Sequence, residues 1–415
     1  MAFSRILPAI VVPVLVAFCA GAAFAAAPPV QKGGASTAIE KGVGIDVSAF
    51  GDSIHHWRKL RDESRFIQPE PDQPSYRRER VREIAANILL FQRANGGWPK
   101  DYDMLAVLSP AQREQVTATR NREDTSFDNH NIFGQVEYLA RAYTQTADET
   151  LRVACLRGFD FMLAAQMPNG GVPQTYPRPS GYHAHITFND GAMIGVLRVL
   201  KDAADGQPHF AWLDAARREK AKDAVRRGIA CLLKCQIRVE GQLTGWCQQH
   251  DRETYAPTSA RTFELASICP QDTTEIVRFL MSIDGSHGGA ATGKPNAAQP
   301  SPDVVAAIEA AVAWLEKVRL TGVRVQRIAA PREEFLRHTA DFDTVVTADP
   351  KALPIWARHY EIGTNRPIFA GRDAVKKYEL SAIERERRTG TPWYGAWPKR
   401  LLDEEYPAWR KTLDR

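Results

Sequence analysis

The chain has 415 residues, and 54 lysines and arginines against 49 acidic residues leave a net charge of +5. Some 390 residues beyond the N-terminal leader, about as the size scaling of domains requires, can bury a large core. The charge is mild and spread through the chain, and no zinc-finger spacing or aromatic–basic repeat is present, which excludes nucleic acid as a partner and leaves room for an anionic ligand.

Residues 1–25 have the pattern of a secretory signal. Arg5 supplies the positive start, an apolar run follows to Ala25, and Ala23-Phe24-Ala25 offers small residues for cleavage. The expected location is secreted or periplasmic, with no membrane association in the mature form, since no other run is long enough to span a bilayer. Once Cys19 leaves, Cys155, Cys231, Cys235, Cys247 and Cys269 remain. That count is odd, and Cys247 with Cys269 is the preferred pair for an oxidising compartment.

Residues 26–74 carry little periodicity and are expected as an extended lead-in. The spacing of Ile84, Ile88, Leu89 and Phe91 predicts a helix over 76–91, stopped by Asn95-Gly96-Gly97. Ser109-Pro110 predicts an N-cap followed by proline in the first turn. Apolar periodicity then predicts helices in pairs: 132–143 with 149–165, 192–203 with 214–233, and 272–281 with 304–314. The Gly/Ala/Pro/Ser-rich stretch 285–302 is expected to be a loop. Val323 to Ile328 and the run around Val345-Val346 are expected as minor strands. From about residue 329 the chain becomes dense in arginine, lysine, tyrosine and tryptophan without helical period, as a coat that finishes a cleft would be.

A repeat runs through these elements. Residues 92–99 read QRANGGWP, 166–173 read QMPNGGVP, and Gly245-Trp246 closes a weaker third copy. Trp98, Val172 and Trp246 are each 74 residues apart. The expected fold is all-α, an (α/α)3 toroid of three helix hairpins in a single domain over 75–415, the coat included.

Polar segments follow the copies: SFDNHN at 126–131, TFNDGA at 187–192 and ARTFELAS at 260–267. Asp128, Asp190 and Arg261 stand at their matching positions. Either aspartate suits a helix N-cap. Two converging carboxylates equally suit a hard cation such as Ca2+, with Asn129, Asn131 and Asn189 as further oxygen donors. Lone arginines usually form salt bridges, and Arg261 alone carries no more than that. Lys100, Asp103, His183, His185, Arg358, Lys376 and Lys377 are secondary candidates, each equally at home as ordinary solvated or second-layer charge.

Several long stretches resemble the pectate lyases of polysaccharide lyase family 10: GGWPKDYD (96–103), TSFDNHN (125–131), QTYPRPSGYHAHITFNDGAM (174–193), GWCQQHDRETYAPTSARTFEL (245–265), ARHYEIGTNRPIFAGRDAVKKYEL (357–380) and ERRTGTPWYGAWP (386–398). The resemblance spans roughly 75–398. It implies a Ca2+-dependent β-elimination of polygalacturonate, an anionic polysaccharide, by a monomeric enzyme. It further implies Arg261 as the catalytic base, Asp128 as an essential site acid, and Asp190 with Asp128 at the metal. Arg366 and Arg372 match the family's arginine-rich substrate segment, and Asn129 belongs to the same motif as Asp128; Lys100, His185 and Arg358 are expected beside them as further substrate contacts. His130 and Gly191 depart from the family pattern, as does the ASICPQ start of the following helix. Two other readings stay open: a toroidal glycoside hydrolase using Asp128 and Asp190 as acid and base, and a non-catalytic pectate-binding protein.

Overall fold

The computed structural model describes residues 43–284 and 299–413. The signal sequence and residues 285–298 of the expected loop lie outside them. The body is predominantly helical, an (α/α) toroid.

Helices α1 (Gly51–Lys59), α2 (Val81–Phe91) and α3 (Pro110–Ala118) precede the repeats. Three hairpins follow: α4 (Phe133–Thr146) with α5 (Glu149–Ala165), α6 (Ala192–Ala204) with α7 (Ala215–Cys235), and α8 (Pro270–Met281) with α9 (Pro302–Lys317). Helices α4, α6 and α8 pack on one another in sequence, as do α5, α7 and α9, while α2 touches both α4 and α5. That nesting sets the composition of each helix. The α6 sequence AMIGVLRVLKDAA is buried at ten positions, because neighbours surround it. Helix α7 buries only one stripe, Ala221, Ala224, Val225, Gly228, Ile229, Cys231, Leu232 and Cys235, at helical spacing. The layers meet closely at Gly195, where a Cβ would lie 2.3 Å from the Phe133 ring.

One glutamine closes each repeat. Gln92 Nε2 donates to the carbonyls of Gly96 and Ala154, at 2.9 Å each. Gln166 does the same to Gly170 and Ala224, at 3.0 and 2.8 Å. Gln236 does it to Thr244 and Ala307, at 2.8 and 2.9 Å. Each amide therefore ties its own turn to the backbone of the next outer helix. The third copy looks weak in sequence because four extra residues separate Gln236 from Trp246, and the excursion folds as a small hairpin pairing Arg238–Val239 with Gln242–Leu243.

Buried indoles add a second tie. Trp98 donates to Ile88, Trp246 to Leu232, and Trp356 to Leu315, each bonding a carbonyl of the helix that precedes it (2.7, 2.8 and 2.8 Å). Trp356 thus occupies a fourth position of the same kind. The excursion before it holds a long hairpin, Val323–Glu334 antiparallel to Thr339–Ala348.

That hairpin is far larger than the minor strands expected. Most of its residues are exposed on both faces, so the period-two signal ends after Ile328. The lead-in also differs from expectation, since α1 is a helix within it. Ser53 and Trp57 are its buried residues, too few to announce a helix in sequence. Helix α2 begins at Val81 rather than residue 76, because Tyr76 and Val107 instead form backbone hydrogen bonds with Leu105 and Pro74. Ser109 caps α3 through a reciprocal bond pair with Gln112. All five described cysteines are buried free thiols. Cys247 and Cys269 do not form the expected bond. The two thiols nonetheless lie within hydrogen-bond reach of each other; the Cys269 sulfur also faces Ser267 Oγ and His359 Nδ1 (3.5 and 3.4 Å), and that of Cys247 the Thr258 carbonyl (3.6 Å).

Candidate active site

The repeat brings its polar segments to one place. Residues 125–131 are anchored by bridges from Thr125 to Pro99 and from Ser126 to Thr175. The Ile186–Thr187 strand, which leads to Asp190, pairs with Gln249–His250, and that strand pairs in turn with Pro257–Thr258 just before Arg261. A short three-stranded sheet therefore carries the second and third segments side by side.

Neither aspartate caps a helix. The N-cap of α4 is Ile132 and that of α6 is Gly191, and no side chain bonds at either. The backbone here is costly to hold: Asn129, His130, Ile132 and Asp190 all have φ between 52° and 71°. Strain kept at several non-glycine residues together is a feature of functional sites. It turns Asp128 and Asp190 away from the helix ends and towards each other, within hydrogen-bond reach.

Their environments push the two carboxyls apart. Burial raises Asp190, and the adjacent negative charge of Asp128 raises it further, well above the usual carboxylate range. Burial also works to raise Asp128, but Lys100, the hydrogen bond from Asp190 and Arg261 outweigh it and hold Asp128 below its ordinary value. Lys100 Nζ donates to Asp128 Oδ2 at 2.5 Å. The pair therefore favours one shared proton, with Asp190 the more basic member.

Arg261 is fixed by Glu264. Its Nε and Nη2 donate to the two carboxylate oxygens at 2.7 and 2.5 Å, a bidentate clamp. Burial disfavours the guanidinium charge, but Glu264, Asp128 and Asp190 together outweigh it and raise Arg261 above its ordinary value. Half of its side chain is nonetheless exposed. The Phe263 ring lies between two guanidiniums, those of Arg261 and Arg387, at 4.8 and 4.5 Å from its centroid.

Arg358 completes the centre, donating to Gln271 Oε1 and Asn189 Oδ1 (3.3 and 3.4 Å). Asn189 Oδ1 also accepts from Gln248, and the Asn131 oxygen accepts from Gln135. Those two oxygens are therefore committed to the protein. Asn129 donates to Asp101 Oδ1 at 2.6 Å. A cavity of ≈ 300 Å³ beside Asp128 is lined by Lys100, Ser126, Gln174, Tyr176, Arg178 and His183 among others.

The other candidates stand further off. His185 faces Asp251 at 3.7 Å. Arg366 stacks on Tyr378, 3.6 Å from the ring centroid. Arg372 makes two 2.6 Å bonds to Glu386, which in turn meets Arg387. Lys376 pairs with Glu361 and Lys377 with Asp373. Asp103 is buried against Arg58 at 2.6 Å and braces the lead-in. Four residues at the centre were not singled out by sequence: Glu264, Gln248, Arg387 and Asp272, whose carboxyl burial pushes up to about 6. For Glu264 a signal existed, three residues after Arg261 in the same segment.

The chain matches the family model for pectic acid lyase over residues 92–402. Among solved structures it resembles a family 10 polysaccharide lyase from Cellvibrio cellulosa, 27% identical, with a TM-score of 0.64 over 78% of this chain and 91% of the other. A mutant of a family 10 polysaccharide lyase from that organism, solved in complex with trigalaturonic acid, matches with the same identity and TM-score over 78% and 92%. No curated protein matches.

Proposed function

The chain belongs to the pectic acid lyase family, and from that premise we propose that it cleaves polygalacturonate by Ca2+-assisted β-elimination. The observation that carries this reading is the convergence of Asp128 and Asp190, within hydrogen-bond reach of each other, with the Arg261 guanidinium close enough for its charge to act on both. The crystallised relative's complex with trigalaturonic acid supports a galacturonan as the ligand.

The donor set fits a hard cation. Two facing carboxylates, one of them forced to keep a proton by the other, are a pair that a divalent ion would relieve. Asp128 and Asp190 would hold Ca2+, which supplies charge neutralisation for the uronate carboxylate next to C5. Lys100 and Arg358 bind and orient uronate carboxylates from the two sides of the pair. His185, Arg366 and Arg372 belong to more distant sugar sites, with Asn129 shaping the near one.

Arg261 acts at C5. In the resting arrangement it is firmly protonated, so it first serves as a clamp for negative charge developing on the substrate. A cation held by Asp128 and Asp190 would offset the negative charge that favours the guanidinium; Arg261 would then release one guanidinium proton to solvent, and the neutral guanidine takes the C5 proton and becomes guanidinium again. The C5–H electron pair forms the C4–C5 double bond, the C4–O bond breaks, and the departing oxygen takes a proton from solvent. The product is a 4,5-unsaturated oligogalacturonide. A glycoside hydrolase is disfavoured by the same geometry: its two carboxyls stand about 5 to 9.5 Å apart to admit a sugar or water, whereas these are in hydrogen-bond reach.

The test is ultraviolet absorbance of the unsaturated product on polygalacturonate, with calcium and with excess chelator. Absorbance abolished by chelation is the expected result, and Arg261→Ala lowers kcat on the order of a thousandfold. New reducing ends without absorbance would mean hydrolysis and overturn the assignment.

A further inference from the structure

A second cavity, of ≈ 810 Å³, lies between the lead-in and the first two repeats. It shares no lining residue with the cavity beside Asp128. On its wall Glu137 of α4, Asp202 of α6 and His209 of the turn Pro208–Phe210 bring one ligand atom each to within 4.8 Å of one another. This is the one such cluster of three among the described residues.

Carboxylates near a surface are common and carry no argument alone. The decisive group is His209. Its side chain is 9% exposed, and its buried Nε2 has no hydrogen-bond partner. That atom stands 3.5 Å from Asp202 Oδ2. A buried, unpartnered ring nitrogen is costly unless something meets it. Arg141 occupies one oxygen of Glu137, at 2.6 and 3.0 Å, and no hydrogen bond takes the other. Charges facing the cluster are those of Arg141 and, across the cavity, Asp46.

We propose that Glu137, Asp202 and His209 form a binding site for a divalent transition-metal ion of the zinc class, separate from the cleft. One imidazole and two carboxylates suit Zn2+, whereas Ca2+ takes six to eight oxygens. Zinc bonds of about 2.0–2.2 Å put neighbouring ligand atoms roughly 3.4 Å apart in a tetrahedron. Asp202 and His209 already stand at that separation, and rotamer adjustment brings in Glu137. Water fills the fourth position from the cavity. The ion ties α4 to α6 and to the turn before α7, so its role is structural, joining the first repeat to the second.

The test is zinc titration by calorimetry on the mature protein, stripped with chelator and then saturated with calcium so that the cleft is occupied. The expected result is one zinc per chain in the wild type and in Asp190→Asn, with affinity at least about tenfold weaker in His209→Ala and Asp202→Asn. Zinc also raises the melting temperature of the wild type and not of those two variants. Asp202→Asn keeps the shape of the site should His209→Ala fold poorly. No zinc bound by the wild type, or undiminished binding by both variants, would overturn the proposal and leave His209 as the ion-pair partner of Asp202. Cleavage of polygalacturonate is unaffected in either variant, so this proposal and the lyase reading fail independently.

Discussion

At Asp128 and Asp190 a buried pair competes for one proton, which burial and the negative charge of Asp128 favour on Asp190. A cation must displace it. Over the pH range in which Asp190 holds that proton, calcium binding releases one proton and its affinity rises by about tenfold per pH unit. Calorimetry at several pH values in two buffers of different ionisation heat measures both quantities, and a pH-independent affinity would contradict the shared-proton description. His250 makes a second residue-scale prediction. Its Nε2 accepts from the Cys247 N–H at 3.0 Å, and its Nδ1 donates to the Tyr255 carbonyl at 2.8 Å, an arrangement open only to the neutral ring. Burial holds its pKa down at about 4, against 6.5 for a free imidazole. Unfolding therefore takes up a proton between those values, and stability due to His250 is lost as pH falls through that window. The stability of the wild type relative to His250→Gln should fall by about 1.4 kcal/mol per pH unit there, measured by denaturant unfolding.

Elements are held in place by a few side chains that repeat. Gln92, Gln166 and Gln236 each satisfy two buried carbonyls, so truncation strands two acceptors and costs about 1–3 kcal/mol per site. The three alanine variants should add nearly independently, because the ties lie at separate turns and share no bonding partner. Helix α1 acts on the cleft from outside the repeats. His56 Nδ1 lies 3.2 Å from Asp101, which accepts from Asn129, and Asp52 lies 3.4 Å from the His130 ring. These contacts brace the strained turn that presents Asp128. His56→Ala should lower kcat by about tenfold with KM little changed, as expected for a loosened catalytic group rather than a lost substrate contact. At this scale the hairpin helices were legible because their apolar faces repeat at helical spacing, and the 74-residue echo pointed to Asp128, Asp190 and Arg261. Helix α1 was not legible, since little of its surface is apolar. Gln248 and Arg387 were not either, because their approach to the centre comes from long-range packing and their local sequence carries no periodic cue.

For the molecule as a whole, the cleft presents Lys100, Arg261 and Arg358 around a carboxylate pair, on a chain whose net charge is +5. A polyanionic substrate is drawn to that arrangement over roughly the 10 Å reach of electrostatics at moderate ionic strength. KM for polygalacturonate should accordingly rise with added monovalent salt while kcat changes less, a dependence that steady-state kinetics at fixed calcium will show or refute. The toroid and its polar centre follow from pattern, yet the coat arginines do not sort themselves by pattern. Arg358 reaches Asn189 at the centre, whereas Arg366 stacks on Tyr378 and Arg372 bonds Glu386 further out.

The indole ties have a consequence for what the scaffold will accept. Between the helix end and its tryptophan the chain runs directly in the first repeat, detours through a few residues before Trp246, and detours through a full ribbon before Trp356, while the indole bonds the preceding helix in all three. The ties close each excursion at its base, so the excursions can differ in length while each indole keeps its bond to the preceding helix. The ribbon uses that freedom as an arm: at its tip the Arg61 N–H donates to the Arg337 carbonyl at 2.8 Å and Arg337 pairs with Asp62 at 3.5 Å, so the longest detour clasps the segment that follows α1.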